Sequence, residues 1–164
     1  MAWVGTTVTV QVVQLLTSPQ GMNACVATLA QAASQSASPL GANQIAAQHV
    51  ASDLAERATE VIYPAVAVYC EQVVNQLKEK FRTFSGYAEM AIEVRVSQDR
   101  LEGIESQTDL YLDAVTQVLD QNRGDWGEGM YYAGGYKADF SAVKHGGRNF
   151  IQVARVTFNV GVSD

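Results

Sequence analysis

The two histidines, His49 and His145, are the side chains best suited to proton transfer near neutral pH. Neither has a neighbouring serine or cysteine in a recognisable nucleophile setting, and two glycines directly follow His145, a context typical of a turn. The sequence therefore predicts no catalytic residue.

Three aspartates, Asp109, Asp113 and Asp120, are spaced four and seven positions apart in a stretch of helical periodicity and could present carboxylates on one side. Carboxylates bind hard divalent cations, but charges at this spacing are more typical of a solvated helix face. Cys25 and Cys70 lack the close Cys/His spacing of a zinc site and are expected to be free, buried thiols. No metal site and no cofactor are predicted.

The glycine-rich segment 124–135 could cradle a phosphate through its backbone N–H groups. A phosphate-binding loop follows a strand and opens a helix, whereas this segment follows a predicted helix. Asp125 and Glu128 would also repel a phosphate. A nucleotide site is therefore not predicted.

The composition fits one globular domain, since the chain has 164 residues, of which 48% are hydrophobic. The formal net charge is -6 and no stretch concentrates Lys or Arg, which disfavours specific binding of nucleic acid. No run of about 18 apolar residues and no basic leader is found, so neither a membrane span nor a secretory signal is predicted. We expect a soluble protein of a reducing compartment.

The first 60 residues favour helices. In 7–17 strand and helix patterns compete, and helix is favoured, while Ser18 is expected to cap a second helix over 19–34. The small and turn-forming residues of 34–43 predict a connection, either a mobile arm or a packed loop. The alanine-rich segment 44–60 permits a third helix.

From residue 61 onward, strands and helices alternate. A β-rich run and three alternating patterns predict strands over 65–70, 89–96, 136–142 and 154–162, the last two forming an antiparallel hairpin. Apolar residues at helical spacing predict a short helix over 73–81, closed by Ser85 and Gly86, and a long helix over 101–122.

These elements predict an α+β fold with an antiparallel or mixed sheet of about four strands, a long helix packed on one face, and N-terminal helices. We expect a single domain, in which residues 1–60 form an N-terminal helical segment and residues 61–164 form the α+β core. One core is expected to bury Ile92, Val94, Val115, Leu119, Val156 and Phe158.

The segment 124–135 holds five glycines and three aromatics, and we predict it to be a loop. Its apolar side chains either cover the protein's own core or reach another subunit. On the second alternative, the candidate interface residues in and near the loop are Arg123, Asp125, Trp126, Glu128, Met130, Tyr131, Tyr132 and Arg148.

Several phrases occur in a characteristic order: Tyr63-Pro64-Ala65-Val66, Ile92 to Ser97, a helix with Tyr111 and Asp113-Ala114-Val115, Gly124-Asp125-Trp126-Gly127, and Gly146-Gly147-Arg148-Asn149-Phe150 through Val162. In this order they resemble the tail-terminator, or tail-completion, proteins of long-tailed bacteriophages. The resemblance covers about residues 61–164.

The resemblance implies a non-enzymatic structural subunit of the virion, made in the host cytoplasm. Copies would form a hexameric ring at the head-proximal end of the tail tube, stop its polymerisation and join the tail to neck or connector proteins. Genomic DNA would pass through the acidic ring without specific binding, and no membrane partner is implied. Alternatives are another neck component (a head-tail adaptor or stopper), a tail tube subunit, or a small soluble enzyme or ligand-binding domain.

Overall fold

A computed structural model describes residues 3–57 and 60–164 of the chain. The helices are α1 (Val4–Thr17), α2 (Met22–Ala32), α3 (Ser52–Arg57) and α4 (Ile104–Gln121). The strands are β1 (Ile45–Ala47), β2 (Ala65–Asn75), β3 (Ser85–Gln98), β4 (Gly124–Gly127), β5 (Met130–Tyr132), β6 (Lys137–Phe140), β7 (Lys144–Gly146) and β8 (Asn149–Ser163).

The strands form one mixed sheet with the order β1-β2-β3-β8-β5-β4. β1 runs parallel to β2, and the other pairs are antiparallel. β5, β6 and β7 all pair with β8, at successive positions along it. The predicted α+β class with a mixed sheet is confirmed, but the sheet has eight strands where about four were expected.

The main core lies between the sheet and the layer of α1, α2 and α4. α1 packs on β2, α4 packs on β3 and β8, and α2 packs on α4. The six residues predicted to share a core do so. α1 adds Val8, Val12 and Leu16 to the same cluster, so the N-terminal segment and the later elements bury their apolar side chains together. No helix in the described ranges is long and apolar enough to cross a membrane.

The helix predicted over 7–17 is confirmed by α1, but the second helix begins later than predicted. Its N-cap is Gly21 and not Ser18. The Ser18 hydroxyl instead donates to the carbonyl of Leu15, in the last turn of α1, at 3.0 Å. The residues between them form a turn in which the Gly21 N–H donates to the Ser18 carbonyl at 2.9 Å. A Cβ at Gly21 would clash with the carbonyl of Leu16, so the close approach of α1 and α2 requires glycine here.

The connection over 34–43 is a packed loop, which decides between its two alternatives. The Asn23 side chain bonds both the N–H and the carbonyl of buried Leu40, at 2.7 and 2.8 Å. The hydroxyl of Tyr111 on α4 donates to the Ser38 carbonyl at 3.1 Å. These bonds hold the loop against α2 and α4.

The helix over 44–60 was wrong for most of its length. Ile45–Ala47 is β1, which pairs with Val66–Val68 of β2, and only Ser52–Arg57 is helical. Residues 58 and 59 lie outside the described part of the chain. Alanine favours a helix, but this propensity is small, and pairing with β2 overrides it in β1.

The short helix over 73–81 was also wrong. β2 continues to Asn75 and β3 begins at Ser85, so Ser85 and Gly86 start a strand instead of closing a helix. Residues 76–84 connect the two strands, and we call them the hairpin tip. The four-residue spacing of Val73, Leu77 and Phe81 does not reflect burial, because all three are exposed.

The other strands and the long helix are confirmed. β2 and β3 contain the predicted 65–70 and 89–96, α4 lies within 101–122, and β6 and β8 form the predicted antiparallel pair. The two cysteines are free, Cys25 buried and Cys70 half-buried.

Candidate assembly surfaces

The segment predicted to be a glycine-rich loop is a β-hairpin. β4 and β5 pair around Glu128 and Gly129, and β5 continues the sheet by pairing with β8. Gly129 has φ +75° and lies so close to the Ser163 carbonyl that a Cβ there would clash. Glycines at such positions permit the tight turn. Because glycine is uncommon in strands, the sequence pattern did not predict β4 and β5.

Three of the candidate interface residues cover the protein's own core. Met130 and Tyr132 are buried, and the Tyr132 ring lies edge-on to Phe158 with centroids 5.5 Å apart. Trp126 is half-buried, its ring centroid 5.4 Å from that of Tyr132, and its indole N–H donates to the Asn122 carbonyl at 2.6 Å. For these three side chains the first alternative, covering the core, holds.

The other five candidates lie on the surface. Arg123 pairs with Asp120 at 2.7 Å, and the Asp125 carboxylate accepts the N–H of Gly127 at 2.7 Å. Exposed Tyr131 lies opposite Gly161 on the far face of the hairpin, and Glu128 lies in its turn. Arg148 lies in a separate turn, between β7 and β8. That these five contact another subunit stays a prediction.

The outer edge of β6 is an exposed sheet edge, and a candidate assembly surface, that sequence reasoning did not identify. Among the described strands β6 pairs with β8 alone, and all four of its residues are exposed. Ala138 and Phe140 lie opposite Val156 and Ala154, and therefore on the face that the helices cover. The helix layer does not cover this edge, so Phe140 remains 51% exposed.

The hairpin tip is a second exposed apolar surface. Leu77 is 65% exposed and Phe81 is fully exposed. Both have left-handed backbones, with φ 48° and 71°, a conformation that costs a bulky residue about 1 kcal/mol. Such strain is retained only where surrounding structure holds it, and here Asn75 binds both arms of the tip through its side-chain amide.

The sheet face opposite α1 and α4, which we call the outer face, carries a buried polar cluster. The hydroxyl of Tyr69 donates to one oxygen of Glu93 at 2.7 Å, and Arg95 donates to the other at 2.6 Å. The Arg95 and Glu93 side chains are only 7% and 12% exposed. Beside them Arg155 forms an ion pair with Glu71. Both Glu93 oxygens are therefore occupied: the bond from Tyr69 joins β2 to β3, and the bond from Arg95 lies within β3.

Each histidine contacts an aromatic ring. The His49 ring stacks on Tyr69, with centroids 4.0 Å apart, at the wall of a cavity of about 480 Å³ between α1 and β2. His145 lies edge-on to Phe150 at 5.0 Å. Within the described ranges, no group of three or more His, Cys, Asp or Glu residues is placed to hold a metal ion.

Comparison with protein-family models and with curated proteins finds no match for this chain.

The pKa of Tyr69 gives a direct test of the outer-face cluster, and the pKa of Tyr132 tests the core. Burial raises the pKa of Tyr69 to about 12, and the hydrogen bond to Glu93 contributes to this rise. Burial also raises the pKa of Tyr132 to about 12. An unfolded tyrosine has a pKa of about 10, so the stability that both groups contribute is present below pH ~10 and lost as pH rises towards ~12.

We expect a pH titration followed by phenolate absorbance to contain two late steps near pH 12. Tyr69→Phe should remove one and Tyr132→Phe the other. An undiminished late amplitude in Tyr69→Phe would mean that the phenol is solvated and that its bond to Glu93 is not formed.

Proposed function

We propose that this protein is a non-enzymatic structural subunit of a long-tailed phage virion. In this proposal, six copies form a ring at the head-proximal end of the tail tube, terminate tube polymerisation and join the tail to neck or connector proteins. The ring, its position on the tail and its partners are inferred from the sequence resemblance over residues 61–164.

The observation that carries the proposal is the open edge of β6. Its outer backbone groups and the exposed Ala138 and Phe140 can extend the sheet onto a strand of another subunit. Edge strands of monomeric proteins are usually protected by charged side chains, proline, a bulge or a covering loop. β6 has one charge pair, Lys137 with Asp139 at 3.2 Å, and Phe140 left bare beside it.

The charge of the chain is compatible with a ring around DNA. Each subunit carries a formal net charge of -6, so a ring whose acidic side chains face inward concentrates negative charge around its axis. A like-charged channel repels the phosphate backbone and lets DNA pass without sticking.

The test replaces Phe140 by lysine. We expect Phe140→Lys to weaken association with tube protein by at least about tenfold, because the charge opposes pairing at the edge. The free energy of unfolding should change by less than about 1 kcal/mol, since the side chain is half exposed. Light scattering with purified tube protein measures association, and electron microscopy of tails should show tubes of irregular, excessive length.

Ala142→Lys is the matched control, because it adds the same charge at an exposed site just outside β6. Normal tails with Phe140→Lys would show that β6 is not an assembly surface. If the unchanged protein neither self-associates nor binds tube protein at any concentration, the proposed function is wrong. Localisation along the whole tube, or at the head side of the neck alone, would instead identify a tube subunit or an adaptor.

A further inference from the structure

We propose that the hairpin tip of one copy docks on the acidic row of α4 in the next copy, where the acidic row is Glu105, Asp109 and Asp113. This inference rests on the proposed ring and identifies the contact that builds it. The partner that the tip binds is therefore a second copy of this chain.

The tip is ordered before it meets a partner. The Asn75 amide accepts the N–H groups of Leu77 and Ser85 at 3.2 and 3.1 Å and donates to the Thr83 carbonyl at 3.1 Å. Backbone bonds join Phe84 to Asp164 in both directions, at 2.8 and 3.0 Å. A loop held in this way loses little conformational freedom on binding, and that favours affinity.

The tip presents an apolar anchor among three basic residues, of which Arg82 pairs with Glu79 at 3.5 Å. Leu77 and Phe81 point into solvent, and Phe81 is as exposed as a side chain can be. Within 76–84 the chain has three bases, Lys78, Lys80 and Arg82, and one acid, Glu79, so the tip carries +2 while the remaining residues carry -8. A basic apolar tip on an acidic protein is complementary to that protein's own surface.

The acidic row provides the matching surface. Its three carboxylates lie four residues apart on the exposed side of α4, and exposed Leu101 precedes them by one turn. No ion pair among the described residues involves the row. Partial burial and the neighbouring charge of Asp109 raise the pKa of Asp113, so the row is a place where an added cation relieves repulsion.

The topology keeps the two surfaces apart within one copy. The tip joins β2 to the start of β3, whereas α4 begins after the other end of β3, 14 residues away. At the rise of a strand β3 is roughly 40 Å long, and the acidic row occupies the first about 12 Å of α4, which begins near the far end of β3 and packs on it. Complementary surfaces at opposite ends make a head-to-tail contact, which generates a ring when the rotation closes. An isologous dimer would need one surface to match itself.

The experiment uses charge reversal and its rescue in the full chain. Lys78→Glu with Arg82→Glu should weaken self-association at least about tenfold, and Glu105→Lys with Asp109→Lys should do the same. Placing all four changes in one chain restores complementary charges and should recover most of the lost association. Sedimentation velocity over a wide concentration range, with and without tube protein, measures each.

The control exchanges the bases without changing charge, as Lys78→Arg with Arg82→Lys, and should self-associate like the unchanged protein. Phe81→Ala should weaken association at least about tenfold, while Phe81→Leu keeps most of it. Circular dichroism and thermal unfolding verify that each variant is folded.

The outcomes separate this contact from the proposed function. If the unchanged protein forms rings and the reversals leave them intact, the contact is wrong and the function stands. If the reversals spare the rings but abolish tube capping, the tip binds the tube and the assignment to a second copy is overturned. Reversals that weaken rings without rescue by the fourfold variant also overturn it. If the unchanged protein forms no ring at all, both proposals fail.

Discussion

Replacing Phe158 by alanine is expected to lower the free energy of unfolding by about 3 to 5 kcal/mol, the range for a buried aromatic side chain. Phe158 is 4% exposed and belongs to the main core cluster. Its ring lies edge-on to Tyr132, a geometry that adds to the free energy gained from burial. The truncation therefore leaves a cavity and removes an aromatic pair at once.

Urea denaturation followed by circular dichroism measures this loss. Phe140→Ala is the matched control, because it removes the same atoms from a half-exposed edge of the same sheet and should cost less than about 1 kcal/mol. If Phe158→Ala costs as little as Phe140→Ala, the register of β8 is off by one residue and the aromatic side chain lies on the outer face.

This register is also the part of the fold that could be predicted from the sequence. In β3 and β8 one face is buried, so apolar residues recur with a period of two, and Ile92, Val94, Val156 and Phe158 were predicted to share a core. The same reasoning applies to α4, whose buried residues recur at helical spacing. Periodicity predicts well wherever burial decides which residues are apolar.

The predictions that were wrong concern segments in which local periodicity does not reflect burial. Leu77 and Phe81 are apolar but exposed, so their helical spacing carried no information about the backbone. β5 pairs with β8 through Met130 and Val162, a contact too distant in sequence to be read from local pattern, and glycines conceal the strand. β1 has three residues and exists only because β2 offers it a ladder.

The candidate assembly surfaces were predictable only in part. Aromatic composition identified 124–135, but composition cannot distinguish Tyr132, which is buried, from Tyr131, which is exposed. The strand containing Phe140 was predicted, yet its exposure depends on where the helix layer ends, which is a tertiary property. The hairpin tip and the acidic row could be identified as complementary surfaces only from the structure, because their separation depends on the path of β3.

The Arg95–Glu93 pair is expected to be as sensitive as the core. Arg95→Met should lower the free energy of unfolding by about 3 to 5 kcal/mol, because it removes the cation bonded to the nearly buried Glu93 carboxylate, and Arg155, opposite Glu93 on β8, already pairs with Glu71. Glu93→Leu should cost a similar amount by stranding the guanidinium. The double replacement removes both charges and should cost far less than the two single changes added together.

The double-mutant cycle therefore tests whether the pair is a buried unit or a hydrated surface pair. Lys137→Met is the control, since its partner is Asp139 and both side chains are mostly exposed, so the loss should stay below about 1 kcal/mol. Urea unfolding of the four variants gives the coupling free energy between Arg95 and Glu93, which we expect to exceed about 2 kcal/mol. Additive losses, or an Arg95→Met variant as stable as Lys137→Met, would mean that water reaches the pair. In that case the outer face of the sheet would be stabilised by its backbone hydrogen bonds and by Tyr69 stacking on His49, and not by the Arg95–Glu93 pair within β3.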